Sequence, residues 1–171
     1  MKFKVLIFMT LPIVLLIAFI SEKVLEKDDS HEEVYNLIYQ LENNLLSNNT
    51  QASIDHEKIY ITEPSKSYEI NMPDDLFYIA FAPYINLTHL CYNHSLTGCL
   101  GEMINKDIEV KIYNEENDLI KDIVMNTGHD GFIGLYLDPH ANYQISVTYQ
   151  DKTSVFTSNT LQTCYTEVRL K

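Results

Sequence analysis

Three cysteines, Cys91, Cys99 and Cys164, are the residues of this 171-residue sequence whose type and spacing most clearly predict chemistry. An odd number of thiols cannot all pair within one molecule, so at least one is left without a cysteine partner. Cys91 and Cys99 lie in one short stretch that also holds His89 and His94. Thiolate and imidazole are donors for soft and borderline metal ions. This stretch therefore predicts a metal site.

The spacing of these donors leaves three interpretations open. Three thiolates suit Cu(I), a soft ion with no strong geometric demand. Zinc normally takes four donors, so a zinc site needs the three cysteines with His94 or His89, or two cysteines with both histidines. The third interpretation is a secreted β-sandwich binding module without a metal, in which Cys91 and Cys99 form a disulfide and Cys164 is a buried apolar thiol.

Composition and charge exclude several classes of function. The sequence has 24 acidic and 12 basic residues, for a net charge of −12. Such a field repels nucleic-acid phosphates and anionic lipid, which argues against binding either one through a basic patch. The order of residues gives no support for a serine hydrolase or for a glycine-rich phosphate-binding loop. His129 and His140 fall in predicted turns and are assigned no role.

The amino terminus predicts export from the cytoplasm. Lys2 and Lys4 precede an apolar run from Val5 to Ile20, which is the pattern of a signal sequence. The run lacks a clear small-residue cleavage site and is slightly short for a membrane span, so residues 1–20 are interpreted as a signal peptide or an uncleaved anchor. Its removal would change the net charge to 10 − 24 = −14. We expect a periplasmic, cell-surface or secreted protein, with residues 21–29 as a charged tether.

Periodicity predicts one helix followed by strands. Apolar residues recur at helical spacing from Ser30 until Asn43 and Asn44, whose side chains favour turns. Short alternating or continuously apolar segments then follow, separated by proline and by turn residues. The predicted strands are Lys58–Thr62, Ser67–Met72, Leu76–Phe81, Ile108–Tyr113, Leu119–Met125, Phe132–Leu137, Tyr143–Tyr149, Thr153–Thr157 and Cys164–Leu170.

These elements predict an α+β fold with two parts. Residues 30–104 would hold the amphipathic helix and a small β part that ends in the Cys/His loop. Residues 105–171 would form an all-β antiparallel, sandwich-like domain, because turns recur there about every ten residues. Pro83 is predicted to close the buried strand before the loop, and the last strand must bring Cys164 back to it. An exposed sheet edge is compatible with a homodimer.

Several motifs resemble those of the CueP family of extracytoplasmic copper-binding proteins. The resemblance runs from about Ser30 to the end of the chain, with three separated motifs in the same order. They are Phe77-Tyr78-Ile79-Ala80-Phe81-Ala82-Pro83-Tyr84 with Thr88-His89-Leu90-Cys91, His94, Cys99 and Gly101-Glu102; Gly131-Phe132-Ile133-Gly134-Leu135-Tyr136-Leu137; and Thr163-Cys164-Tyr165-Thr166.

The resemblance implies a function in copper homeostasis. It implies that Cys91, Cys99 and Cys164 are the copper-binding thiols, and His94 keeps the position of a histidine within the motif. His94 as a direct ligand is our hypothesis. The resemblance also implies copper tolerance, reduction of Cu(II) to Cu(I), and transfer of copper to exported enzymes such as superoxide dismutase. Sustained reduction would require an external thiol reductant, since each turnover oxidises sulfur.

Overall fold

The structure, a computed structural model, describes residues 30–47 and 49–171. The predicted signal peptide or anchor and the predicted tether lie outside the described residues. Residues 38–171 form one compact unit, and the described residues before them belong to another. In the described part of the chain, no helix combines the length and apolar content needed to cross a membrane.

One helix, α1, covers residues 30–42, as the apolar periodicity predicts. Near its end Ile38 and Leu41 are buried. The Asn43 side chain donates a hydrogen bond to the carbonyl oxygen of Tyr39 at 2.8 Å. Asn44 has a φ of 53°, a left-handed conformation that asparagine tolerates better than most residues. Asparagines therefore end α1 as predicted.

Eleven strands follow α1 in the described residues, and nine of them match predicted strands. The two that the sequence pattern did not predict are the short strands β1 and β5. The strands are β1 Gln51–Ile54, β2 Lys58–Glu63, β3 Lys66–Asn71, β4 Phe77–Tyr84, β5 His94–Ser95, β6 Asp107–Tyr113, β7 Leu119–Asn126, β8 Ile133–Leu137, β9 Tyr143–Tyr149, β10 Lys152–Ser158 and β11 Cys164–Arg169.

The strands form three sheets. Their orders are β3-β2-β1-β5, β10-β9-β6-β7 and β11-β4-β8. The pairings are antiparallel except that of β11 with β4, which is parallel, with Cys164 opposite Ala80 and Tyr165 opposite Phe81. The sheet of β11, β4 and β8 takes strands from both sides of the predicted division between residues 104 and 105. That division stays a prediction.

Strand β4 lies at the centre of this arrangement, and seven of its eight residues are buried. Phe77, Ile79 and Phe81 belong to the main core, together with apolar side chains of β6 and β9. Burial of one such side chain contributes about 1.5–3 kcal/mol to stability. Strand β4 is therefore a stable base for the cysteine segment that follows it. The fold is α+β with a sandwich-like, mostly antiparallel β body, as predicted.

The end of β4 differs from the prediction. Pro83 does not close the strand, which continues to Tyr84. Pairing with β8 stops at Phe81, so β4 has only β11 beside it where Pro83 lies. A residue that cannot donate a backbone hydrogen bond is tolerated where a strand lacks a neighbour.

Candidate metal centre

Among the residues that the structure describes, two groups of three side chains bring sulfur and imidazole donors together. His89, Cys91 and Cys99 form one group, here called the outer triad, and His94, Cys99 and Cys164 form the other, the inner triad. Within each triad one ligand atom from each residue lies within 4.8 Å of the other two. Cys99 belongs to both triads. Each triad offers one imidazole and two thiols, a donor set suited to copper or zinc.

The short strand β5 fixes the segment that carries most of these donors. Its residues His94 and Ser95 pair with Ile54 and Ser53 of β1. A turn follows, in which the Cys99 amide donates to the Ser95 carbonyl at 3.3 Å. The Ser95 amide in turn donates to the Cys99 sulfur at 3.4 Å. A backbone donor aimed at sulfur favours its thiolate form.

Thr163 brings Cys164 to the same place. Its side chain, which is fully buried, donates to the carbonyl of Ile54 at 2.7 Å and accepts from the His94 amide at 3.0 Å. The amide of Cys164 donates to the carbonyl of Tyr92 at 2.9 Å, within the cysteine segment. The start of β11 is thereby tied to both β1 and β5, which places Cys164 beside Cys99.

A second anchor holds the two ends of the segment between β4 and β6. The Glu102 carboxylate accepts from the amides of Ile85, Asn86 and Leu87 at 2.8 to 3.1 Å, and from the Asn86 side chain at 2.8 Å. Slight burial opposes the charge, but these bonds outweigh it and lower the pKa of Glu102 to about 2. The carboxylate therefore stays charged and closes the segment into a loop.

A close backbone approach completes this anchor. The Gly101 amide donates to the carbonyl of Asp130 at 2.6 Å. A Cβ atom on Gly101 would lie 2.6 Å from the carbonyl oxygen of Gly131, and Gly131 itself has a φ of 80°. Only glycine satisfies both conditions without strain. The loop is thus held against the residues that lead into β8.

His94 is fully buried, and neither of its ring nitrogens makes a hydrogen bond to any of the residues that the structure describes. Its Nε2 atom lies 3.4 Å from Glu42 Oε1, and the Glu42 carboxylate also accepts a hydrogen bond from the Tyr78 hydroxyl. Burial lowers the pKa of His94, but its contacts with Cys99 and Glu42 outweigh this and raise the pKa to about 9. The metal-free ring is therefore an imidazolium at neutral pH, and a metal that binds His94 would take the place of one of its protons.

The three cysteines form no disulfide, and their thiols differ in the direction in which their pKa values are shifted. Cys91 and Cys99 have their sulfurs 3.7 Å apart, so the disulfide of the metal-free interpretation is not formed in this structure. Contacts with Cys164 and Cys91, followed by His94, hold the pKa of Cys99 far below its usual range. Contacts with Cys91 and Cys99 raise the pKa of Cys164. The contact with Cys164 lowers the pKa of Cys91, but Cys99 and burial outweigh it and raise the value to about 11. Cys99 is therefore the thiolate of the cluster.

The structure brings together every residue that the sequence suggested as a ligand. Cys91, Cys99, Cys164 and His94 are in the triads, and so is His89, which is exposed where His94 is buried. His129 and His140 are exposed and belong to neither triad. Whether any of these side chains binds a metal stays a prediction.

Sequence reasoning missed the residues that support the cluster. Glu42 lies in the last turn of α1, Tyr78 in β4 and Thr163 just before β11, so no short-range spacing connects them with the cysteines. Tyr78 and Thr163 lie in motifs that were singled out only through the resemblance to the CueP family. Nothing in the pattern around Glu42 distinguished it from a surface acid.

Comparison with known proteins agrees with this geometry. The family model described as "Periplasmic copper-binding protein CueP" matches residues 33–169. A solved structure described as "Crystal Structure of S.CueP" is 33% identical, with a TM-score of 0.75, over 81% of this chain and 88% of that one. A comparison with curated proteins found no match. The family match and the structural likeness agree over most of the described residues, and the chain belongs to the CueP family of copper-binding proteins.

Proposed function

We propose that this protein captures copper as Cu(I) outside the cytoplasm, with the thiolates of Cys91, Cys99 and Cys164 and the imidazole of His94. The observation that carries the proposal is the buried His94 imidazole. One of its nitrogens lies within 4.8 Å of two sulfurs, and Nε2 lies 3.4 Å from the Glu42 carboxylate. Copper here is the cargo. Thiolate ligands favour the cuprous ion over harder competitors.

The same thiols suit reduction of Cu(II). Cys91 and Cys99, whose sulfurs lie 3.7 Å apart, need only a modest shift to form a disulfide. Two thiolates would give one electron each to two Cu(II) ions, leaving two Cu(I) ions and one disulfide. An external dithiol would then reduce this disulfide by thiol–disulfide exchange, which restores both thiolates and oxidises the dithiol. Membership of the family supports a role in copper homeostasis.

The proposal extends to location and partners. The family description is of periplasmic proteins, and the export pattern of residues 1–20 is consistent with a site outside the cytoplasm. Copper would pass to exported enzymes such as superoxide dismutase, and the protein would act as a metallochaperone. A homodimer through an exposed sheet edge is also part of the proposal.

Cys164→Ser tests the proposed ligand set. Serine is similar in size but removes the soft donor, so we expect the reduced protein to bind Cu(I) at least about a hundredfold more weakly. Loss of a group that only supports a ligand already costs about ten- to a hundredfold. Competition with a coloured Cu(I) chelator measures the affinity. Thr166→Ser, a similarly small change at a buried site of β11, is the matched control.

Two outcomes would contradict the proposal. Unchanged Cu(I) affinity in Cys164→Ser would exclude Cys164 as a ligand, provided urea unfolding shows both variants folded. The second outcome is that the isolated protein contains zinc and keeps it when a Cu(I) donor is added. This result would favour a structural zinc site instead. One equivalent of copper that the donor readily supplies would support the copper site.

A further inference from the structure

The two triads differ in exposure although their donors are the same. In the outer triad His89 is exposed and both cysteines are half-buried, whereas in the inner triad His94 and Cys164 are fully buried. The outer triad also borders a surface groove of about 260 Å3, which is lined in part by Leu90, Cys91 and Gln162. A copper donor in solution therefore reaches the outer triad more readily than the inner one.

Cys99 connects the two positions. Because it belongs to both triads, an ion can keep its bond to this sulfur while it exchanges the other two ligands. The ion would lose its bonds to His89 and Cys91 as it gains bonds to His94 and Cys164. Both positions offer one imidazole and two thiolates, so the ion meets ligands of the same softness in each. Transfer between them then never requires a free copper ion.

Phe132 lies at the boundary between the two positions. Its ring centroid is 4.9 Å from that of His94 and 6.3 Å from that of His89, and the side chain is buried. An apolar ring therefore lies beside both imidazoles, and His94 and Cys164 of the inner position are themselves fully buried. The inner triad is thus suited to retention of copper, and the outer triad to exchange.

We infer that the protein holds copper at two successive positions, an outer landing site at His89, Cys91 and Cys99 and an inner retention site at His94, Cys99 and Cys164. The ligands of the proposed function then act in turn rather than all at once. The ion is received at the outer site and moves inward around Cys99, and it leaves by the reverse route. His89 is the ligand that distinguishes the outer site. This inference rests on the proposed function, because it assumes that the cysteines bind Cu(I).

His89→Asn tests the landing site in the full chain. Because His89 is exposed, the substitution should leave the fold intact, and His140→Asn provides the control at another exposed histidine. Transfer of Cu(I) from a coloured chelator complex is followed by stopped flow, and the affinity is measured at equilibrium. We expect His89→Asn to slow transfer at least about tenfold, which corresponds to about 1.4 kcal/mol in the barrier. The affinity should change by less than about threefold.

A second test introduces His89→Asn into the Cys164→Ser variant. In Cys164→Ser the inner site lacks one thiolate, so the remaining Cu(I) binding should depend on the outer triad. There His89→Asn should weaken binding by at least about tenfold, the scale of a lost interaction at a metal site. The contribution of His89 to affinity would thus appear only when the inner site is damaged. A shift of the His89 nitrogen resonances on copper addition to Cys164→Ser would support the same conclusion.

The outcomes separate this inference from the proposed function. Normal affinity with an unchanged transfer rate in His89→Asn would overturn the landing site alone. Equal losses of affinity in His89→Asn and His94→Asn within the otherwise wild-type chain would overturn it too, because both histidines would then serve one site. Absence of Cu(I) binding by the wild-type protein would overturn the proposed function as well.

Discussion

At the scale of single residues, the environment of His94 decides how its imidazole faces the sulfurs. Glu42 lies 3.4 Å from Nε2, so Nδ1 is the nitrogen left for a metal. A carboxylate behind a histidine ligand fixes the tautomer and strengthens the donor nitrogen. Tyr78 holds Glu42 in turn through its hydroxyl. The last turn of α1 therefore supports the candidate metal centre, although it contributes none of the proposed ligands.

Glu42→Gln tests this positioning role. The amide keeps the shape of the side chain but removes the charge that orients His94, so we expect Cu(I) affinity to fall about tenfold or more. In the copper-free protein above the His94 pKa of about 9, nitrogen chemical shifts should show a proton fixed on Nε2 in the wild type and a mixture of the two tautomers in the variant. A purely structural role would not change that tautomer.

The chain offers a matched control for this substitution. Glu63 accepts a hydrogen bond from Tyr68 at 3.0 Å, the same type of tyrosine–carboxylate contact with no histidine involved. Glu63→Gln should leave Cu(I) affinity and the His94 shifts unchanged. An equal loss of affinity in both variants would show that the Glu42 effect is not specific to the site.

At the scale of elements, the cysteine segment is a loop held by fixed points rather than by a regular structure of its own. Strand β5 attaches its middle to β1, and Glu102 attaches its start to its end. Each attachment satisfies backbone amides that would otherwise be left without a partner. Preorganisation of this kind keeps the donors close together before the ion arrives.

Glu102→Gln should release the start of the segment. Since the folded-state pKa of about 2 is below the ordinary value of 4.5, the carboxylate stabilises the fold fully above pH 4.5. That contribution is lost as the pH falls from 4.5 toward 2. Because the carboxylate is exposed, we expect a loss of no more than about 1 kcal/mol in the variant at pH 6. Urea unfolding should show a smaller difference in the free energy of unfolding between wild type and Glu102→Gln at pH 3 than at pH 6.

Hydrogen exchange localises this effect. The amides of Ile85, Asn86 and Leu87 should exchange faster in Glu102→Gln, because their common acceptor is weakened. Glu116→Gln, in the exposed turn between β6 and β7, is the control and should change neither measurement. A constant gap in stability between wild type and Glu102→Gln across this pH range would argue against the carboxylate as its source.

At the scale of the whole molecule, the proposed ligands come from distant parts of the chain. Cys91 and Cys99 follow β4, whereas Cys164 begins β11, and the parallel pairing of these two strands brings the thiols together. An ion bound to all of them would cross-link elements that meet only in the folded state. Binding that requires the fold stabilises the fold.

Copper should therefore raise the stability of the reduced protein. At free Cu(I) about a hundredfold above the dissociation constant, the free energy of unfolding should increase by about 2.7 kcal/mol. Urea denaturation with and without buffered Cu(I) measures the increase, and Cys164→Ser should lose most of it. Tight binding without any increase would mean that the unfolded chain binds copper equally well, which would contradict a preorganised site.

The sequence alone determined the elements and the donors. Nine strands and the end of α1 follow from local periodicity and from asparagine at the helix terminus, because these signals depend on neighbouring residues. The clustering of Cys91 and Cys99 with two histidines was also local. Strands β1 and β5 were not predicted because they are short, and their pairing, β1 with β2 and β5 with β1, depends on neighbouring strands rather than on their own pattern.

Only the tertiary structure decided which donors meet and which face water. His89 and His94 were equivalent on the basis of spacing, yet one is exposed and the other fully buried. The approach of Cys164 depends on the parallel pairing of β11 with β4, and the support from Glu42 depends on where α1 ends. Such contacts join residues far apart in the chain. They are fixed by the packing of whole sheets, a long-range property that local periodicity does not contain.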